Sequence, residues 1–355
     1  MTIIHISSSL GGGGAEQMVL QLAKCSTSVI KTIVISISDD NTLEPKFKEH
    51  QIEYHFLNVT SFKNSSLKRG LQKLHRIIKD QDKPIFHCHQ YHSAILGTLY
   101  RLFYKKIPIV FTLHSSTIEI YNRKLMLFVT KGFRKKDIVF SENAKQWYLK
   151  NNVVIPNGVD FNELSITSSR QSEIDHPFRF LYLGRLSDEK NPLYMVTAAK
   201  KLIEVGLKNF VFDVVGEGKL KAQLLKLIEI ETADHKDFER HFNLLGFRSD
   251  IKPYLQTANT LILPSKWEGM PMVIIEAAAA KLPIISTPVG SIPDFLNNDN
   301  AYVSDLSMFH QSMIDCIQNY DKALQKTQQL YDELKSSYNI DAVYQAHLNL
   351  YKSVL

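Results

Sequence analysis

Two glutamates, Glu268 and Glu276, stand in the apolar stretch LILPSKWEGMPMVIIEAAAAKLPIIS over residues 261–286. A carboxylate in such surroundings needs a partner, because a buried unpaired charge is costly. Leu261–Leu263 reads as a short buried parallel strand ended by Pro264. A loop follows from Ser265 to Met270. Pro271 stands where a helix would start, since its preset φ and missing N–H suit that position. Met272–Ala280 is apolar or small on every side except at Glu276, as in a buried helix. Pro283–Ser286 is the next strand. Glu268 and Gly269 therefore lie in a loop at the carboxyl end of a parallel strand, where open α/β sheets bind ligands. The amides of Met270 and Met272 point out of a helix N-terminus, which attracts anions. Such a loop can seat a phosphate and several hydroxyls together. The plainer alternative is a buried strand–helix–strand unit whose Glu276 bonds a neighbouring backbone group.

Other motifs decide between these. Gly11–Gly14, followed by Ala15 and Glu16, lets backbone approach an anion closely. Glu16 stands where the dinucleotide fingerprint needs its third glycine, and no Gly-Lys-Ser/Thr follows, so neither nucleotide signature is met. The matching loop of the second half is LGRLSDEKNP, 183–192. Arg185 offers a planar fork for phosphate oxygens, and Lys190 adds a point charge. Two cations at such a turn can neutralise a diphosphate without a metal. Leu244-Leu245-Gly246-Phe247 reads as a strand-end turn that can hold a base, or as simple packing. His87 and His89 alternate on a strand and share one face, with Cys88 on the other. No carboxylate or thiolate set joins them at metal spacing, which argues against zinc. His89 and His114 each end a strand, face the expected cleft, and can donate a hydrogen bond to a substrate oxygen.

The elements that carry these residues alternate along the chain. Strand candidates at 3–7, 32–37, 85–89 and 109–113 interleave with helix candidates at 16–23, 67–78 and 94–103. That alternation argues a doubly wound parallel sheet. Pro156-Asn157-Gly158 is a turn, Thr167–His176 reads as a polar linker, and a second strand–helix series begins at Phe178. The 355 residues suffice for two domains: 1–160, and 161–337. The tail 338–355 is an amphipathic helix that can cross back to the first, after the polar stretch Asp332–Ser337. With 44% hydrophobic and 22% charged residues the composition is that of an ordinary globular protein. No apolar run reaches membrane-span length. The start lacks a basic n-region and reads as a strand. Three scattered cysteines imply no disulfide framework and suit a reducing cytosol. A net charge of +6 suits a phosphate-bearing ligand or an anionic surface.

These residues together resemble the family 4 retaining glycosyltransferases. The likeness runs through Gly13–Glu16, His89, His114, Pro156–Asp160, Gly184–Lys190, Leu244–Phe247 and Glu268–Glu276. It implies the GT-B fold: two Rossmann-like doubly wound domains facing across a cleft, the first for the acceptor and the second for the nucleotide sugar. It implies that Gly13 and Gly14 bring backbone to the distal phosphate, and that Arg185 and Lys190 hold the diphosphate. Glu268 would take hydroxyls of the donor sugar, and Glu276 those of the ribose. The turn at Phe247 would hold the base. Gly269, Met270 and Met272 would line the donor site, His114 the reacting face and His89 the acceptor side. No metal and no other cofactor is implied, which agrees with the expectation that no Asp-x-Asp motif is present to hold a divalent ion on a nucleotide sugar. Asn191-Pro192 replaces the commoner glycine after the lysine.

The donor implied is a nucleotide sugar, a UDP-sugar before others. The acceptor implied is a saccharide on a polyprenyl diphosphate, in cell-surface polysaccharide synthesis. Lysines and arginines between Lys63 and Lys136, with the apolar side Leu67-Leu71-Leu74-Ile78, offer a surface for an anionic inner leaflet; a helix packed on its sheet is the alternative. Nucleic acid is not an expected partner, and the location expected is the cytoplasm. Three rival readings are a nicotinamide-dependent oxidoreductase, a non-catalytic sugar-nucleotide-binding subunit and a sugar-nucleotide epimerase on the same fold.

Overall fold

A computed structural model describes residues 1–25, 30–114, 118, 120–140, 144–165, 176–269 and 271–355. The chain divides into two units: residues 1–158 with 338–355, and residues 159–337. The linker expected over 167–176 lies, save for His176, outside the described residues.

The first unit holds β1 (Thr2–Ser7), β2 (Lys31–Ser36), β3 (Glu53–Phe56), β4 (Pro84–His89), β5 (Ile109–Thr112), β6 (Lys136–Val139) and β7 (Val153–Val154). They form one sheet in the order β3-β2-β1-β4-β5-β6-β7, parallel at every pairing. The second holds β8 (Phe178–Leu183), β9 (Phe210–Val215), β10 (Phe242–Gly246), β11 (Thr260–Leu263), β12 (Ile284–Ser286) and β13 (Tyr302–Val303). Its order is β10-β9-β8-β11-β12-β13, again parallel. Strands such as TIIHIS and FVFDVV are buried at every residue because helices cover both faces. Each order reverses direction once, between β1 and β4 and between β8 and β11. Loops splay apart at such a point and leave room for a ligand.

Local signals set the helices. Asn64 caps Ser65–Ile78 by accepting the Ser66 amide at 2.9 Å. That helix buries Leu71, Leu74 and Ile78 in the core of the sheet. Its apolar side therefore packs internally and does not face a membrane. The first helix, Gly14–Lys24, begins two residues before the expected start, so the last glycine of the run is itself helical. The polar stretch 332–337 is part of the helix Tyr320–Tyr338. The terminal helix, Ile340–Val354, packs in the first unit against Ile3, Met18, Leu22, Ile85 and Val110. Gly158 lets the chain pass this helix, since a Cβ there would lie 3.0 Å from the Ile340 Cα.

Arg134, counted among surface cations in the sequence, is fully buried. Its Nε and Nη2 donate to the two oxygens of Asp137, each at 2.8 Å, and further N–H groups reach Leu127 O and Tyr148 O. Asp137 also accepts the Lys150 amide at 2.7 Å. A buried pair of this kind is costly to break, because one charge is left uncompensated. Asp137→Ala should lower unfolding free energy by about 3–5 kcal/mol in urea denaturation, and the double variant Arg134→Met/Asp137→Ala should recover much of that loss.

Candidate active site

In the second unit the loops after β8 and β11 are joined to each other. Lys266 and Trp267 donate their amides to Glu189 O at 2.8 and 3.4 Å, and the Asn191 side chain donates to Pro264 O at 3.0 Å. Asn191 has φ 51°, the left-handed region that glycine and asparagine tolerate. Its replacement of the commoner glycine thus keeps the turn and adds a bond.

These contacts bring Lys190 to Glu268. The ammonium donates to both carboxylate oxygens, at 2.7 and 2.6 Å, and Ser265 Oγ donates to one of them at 2.7 Å. Glu268 is only 4% exposed. An ammonium has three N–H donors, so one remains for a third oxygen. The loop is held from behind: Thr287 Oγ1 donates to Ser265 O at 2.6 Å, and Ser291 Oγ donates to Gly269 O. Gly290, at φ 58°, lies so close that a Cβ would meet the Glu268 carbonyl oxygen at 1.8 Å. The sequence reading missed Ser265, Thr287 and Gly290; the glycine in TPVGS just after a strand was the available signal.

Glu276 lies on the helix Met272–Ala279 and is partly buried. Its carboxylate has no hydrogen-bond partner among the described residues, and burial pushes its pKa up to about 7. It does not bond a neighbouring backbone group, as the plainer reading of this stretch required. Pro271 caps that helix and Ile274 bonds back to Pro271 O, so the Met272 amide stands before the first intrahelical bond. Met270 lies outside the described residues. Arg185 is exposed, with Nη2 3.3 Å from Glu189. Phe247 is half exposed beside Gly246, whose φ is 71°. Gly216 and Gly218 let the loop after β9 lie on the backbone of Gly184–Leu186: a Cβ on Gly216 would meet Gly184 O at 1.9 Å.

In the first unit Gly13 caps the helix Gly14–Lys24, and a Cβ on Gly14 would meet nothing within 4 Å. The buried Glu16 accepts from Ser9 and Gln90 and ties the loop after β1 to the end of β4. His89 is fully buried, which corrects its expected place on the acceptor side: no acceptor can touch it. His114 is partly exposed, beyond the end of β5.

A third histidine, and no carboxylate or thiolate among the described residues, joins His87 and His89. The register of β1 on β4 sets His5 opposite His87. His5, His87 and His89 each offer a ring nitrogen within 4.8 Å of the others. Hydrogen bonds already use both nitrogens of His87 and His89 and Nδ1 of His5. His87 bonds Tyr351 Oη at 2.7 Å and Thr112 Oγ1 at 2.6 Å, and His5 Nδ1 lies 2.9 Å from His89 Nε2. Burial holds His87 and His89 well below the usual histidine pKa and lowers His5 to about 3, so these rings are neutral. An Asp-x-Asp does occur, which corrects the expectation that none is present: Asp80-x-Asp82 stands before β4, at the opposite end from the site, and Asp82 bonds the chain's amino terminus at 2.9 Å.

Two family descriptions match in tandem: Glycosyltransferase Family 4 over residues 12–163 and Glycosyl transferases group 1 over residues 177–319. The chain belongs to the family 4 glycosyltransferases, and it has the GT-B fold. The crystal structure of Anabaena HepE in complex with UDP and glucose matches 99% of this chain and 100% of its own, with TM-score 0.83 at 16% identity. A UDP-Gal:alpha-D-GlcNAc-diphosphoundecaprenol alpha-1,3-galactosyltransferase of Escherichia coli is 29% identical over 253 residues, 65% of this chain and 64% of that protein. The amylovoran biosynthesis glycosyltransferase AmsD of Erwinia amylovora is 29% identical over 216 residues, 58% of this chain and 59% of its own. The chain thus spans a little under two thirds of the length of these relatives.

Glu276 carries a stability consequence. A carboxyl whose folded pKa lies near 7 and whose unfolded pKa lies near 4.5 binds its proton more tightly when folded. Stability is therefore lost as pH rises between those values. Glu276→Gln removes that loss. It should stabilise the protein by about 2–3 kcal/mol at pH 8, with the gain fading towards pH 4.5, as read from Tm across a pH series.

Proposed function

We propose that this protein is a retaining glycosyltransferase that moves a hexose-type sugar from a UDP-sugar to a saccharide on a polyprenyl diphosphate, in the assembly of a bacterial surface polysaccharide. The observation that carries the reading is Glu276. A carboxylate with no partner among the described residues, on the helix that follows β11, is suited to the paired hydroxyls of a ribose. Glu268, fixed by Lys190 and Ser265, is suited to hydroxyls of the donor sugar. Arg185, the remaining Lys190 donor and the amides at Met270 and Met272 take the diphosphate. In the first unit, Gly13 and Gly14 offer backbone to an anion. Gly269 keeps the loop open to the sugar, the Phe247 turn takes the base, and His114 donates to the sugar being transferred.

In the step itself an acceptor hydroxyl oxygen bonds the anomeric carbon on the face from which the diphosphate leaves. The anomeric C–O bond breaks, the hydroxyl proton passes to a leaving phosphate oxygen, and UDP departs. Charge grows on the diphosphate, and the fixed cations and helix end stabilise it. On this reading a divalent ion is not needed. The full-length protein is tested with a panel of UDP-sugars, UDP-galactose among them, GlcNAc-diphosphoundecaprenol as acceptor, and excess EDTA. The expected outcome is a lipid-linked disaccharide whose new linkage keeps the donor's anomeric configuration. An inverted linkage overturns retention. Loss of turnover in EDTA, restored by magnesium or manganese, overturns metal independence. Sugar interconversion without acceptor favours the epimerase.

The same reading places the lipid-facing surface on the helix Tyr121–Thr130. Among the described residues, Tyr121, Leu125, Met126 and Val129 are exposed there, at helical spacing, while Leu127 is buried. Trp147 is also exposed and packs on Phe128, and the Lys131 ammonium lies 4.2 Å from the Phe128 ring centre. Phe103 ends the helix Gln90–Phe103, which packs against this one, and exposed Tyr104, Lys105 and Lys106 follow it. Exposed apolar rings among lysines suit the surface of an anionic leaflet. No helix among the described residues is long and apolar enough to cross a membrane. Tyr121→Ser/Leu125→Ser/Val129→Ser should abolish co-sedimentation with phosphatidylglycerol vesicles and leave Tm within a few degrees. Unchanged sedimentation would remove this surface from the reading.

A further inference from the structure

Three imidazoles in the first unit form a continuous hydrogen-bonded chain. His5 Nδ1 lies 2.9 Å from His89 Nε2, and His89 Nδ1 lies 2.9 Å from His114 Nε2. His5 and His89 are buried, and His114 is the partly exposed end. Two neighbouring histidines stand outside the chain. His87 spends both nitrogens on Tyr351 and Thr112, and His347 donates Nδ1–H to Val343 O at 2.9 Å.

A neutral imidazole has one N–H and one bare nitrogen, and the bond made by one nitrogen dictates the state of the other. Each link in the chain needs one donor and one acceptor. Only two arrangements satisfy both links: all three rings carry the proton on Nδ1, or all three carry it on Nε2. A mixed set breaks at least one bond. The far end chooses between them. His5 is 1% exposed and makes no hydrogen bond through Nε2 among the described residues. With the proton on Nε2, that N–H would have no partner among the described residues. With the proton on Nδ1, only a bare acceptor is left, and orphaned acceptors are tolerated more often than orphaned N–H groups. His114 Nδ1 has no partner among the described residues, so it is the end of the chain open to a ligand.

We propose that His5, His89 and His114 act as one tautomeric unit, in which the buried His89 is a positioning residue that fixes the proton of His114 on Nδ1 and makes His114 a hydrogen-bond donor towards a substrate oxygen. The role given to His114 rests on the reading in the preceding subsection; the coupling of the rings does not. Alone, His114 is free to carry its proton on either nitrogen, and only the Nδ1–H form donates outward. A tautomer mixture dilutes the competent enzyme by the fraction in the wrong form. His89 therefore acts on turnover without meeting substrate.

The test is nitrogen NMR of the full-length protein labelled with 15N in its imidazoles, read beside steady-state turnover. In the unsubstituted protein, His5, His89 and His114 are expected to share one tautomer, protonated at Nδ1. In His89→Phe, His114 should become a tautomer mixture and kcat should fall by roughly 2- to 10-fold. Affinity for free UDP, which second-unit residues hold in this reading, should not change. His89→Asn places an amide N–H near the former Nδ1, and should restore both the Nδ1–H form of His114 and most of kcat. Mixed tautomers among the three rings of the unsubstituted protein overturn the proposal, and so does an unaltered His114 in folded His89→Phe. Should His89→Phe not fold, the unsubstituted spectrum and His89→Asn still decide the matter. His114→Ala with full turnover overturns the substrate-facing role, whatever tautomers the spectra report.

Discussion

A carboxylate taken out of water must be met by a cation or by hydrogen bonds, and Glu268 is met by both. Lys190 and Ser265 hold its two oxygens, and Lys190 comes from a loop 78 residues earlier in the chain. The pair can form only because β8 and β11 are neighbours in the sheet while far apart in sequence. Its other supports follow from the same need. Asn191, Thr287, Ser291 and Gly290 fix the two loops to each other and to the strand ends behind them. A site assembled this way keeps its geometry before any ligand arrives, which is the condition for electrostatic catalysis.

Glu276 is the opposite case. Among the described residues it has no hydrogen-bond partner, and burial raises its pKa to about 7. Residues of this kind cost stability in the empty protein, and proteins tolerate such costs where function needs them. The contrast within one short stretch is informative. Glu268 has its proton-donating partners supplied by the protein, and Glu276 has them left open.

The first unit meets the polar-burial problem differently. It sinks imidazoles into an apolar sheet, where burial keeps them neutral, and links them to one another, to Tyr351 and to Thr112. Neutral rings bury at modest cost when both nitrogens are satisfied, whereas charged ones would not. The terminal helix is part of this arrangement, since it supplies Tyr351 and His347.

Much of this was legible in the order of residues. Alternating apolar strands and periodic helices announced parallel sheets, because a strand covered on both faces has no polar side. The loops at Gly13–Gly14, Arg185–Lys190 and Glu268–Glu276 were visible because glycines, cations and a carboxylate in an apolar run are local signals. The spacing of Leu71, Leu74 and Ile78 showed an apolar stripe but not what it packs on. Only the tertiary structure decided that it faces the sheet while the helix Tyr121–Thr130 keeps apolar side chains exposed. The partners of those loops were equally out of reach of the sequence. That His5 lies opposite His87 is a matter of register, that Arg134 is buried on Asp137 is a matter of depth, and that Lys190 meets Glu268 is a matter of strand order. A chain states the chemistry of each residue and the period of each element. Which distant residues meet is set by how whole sheets and helices pack.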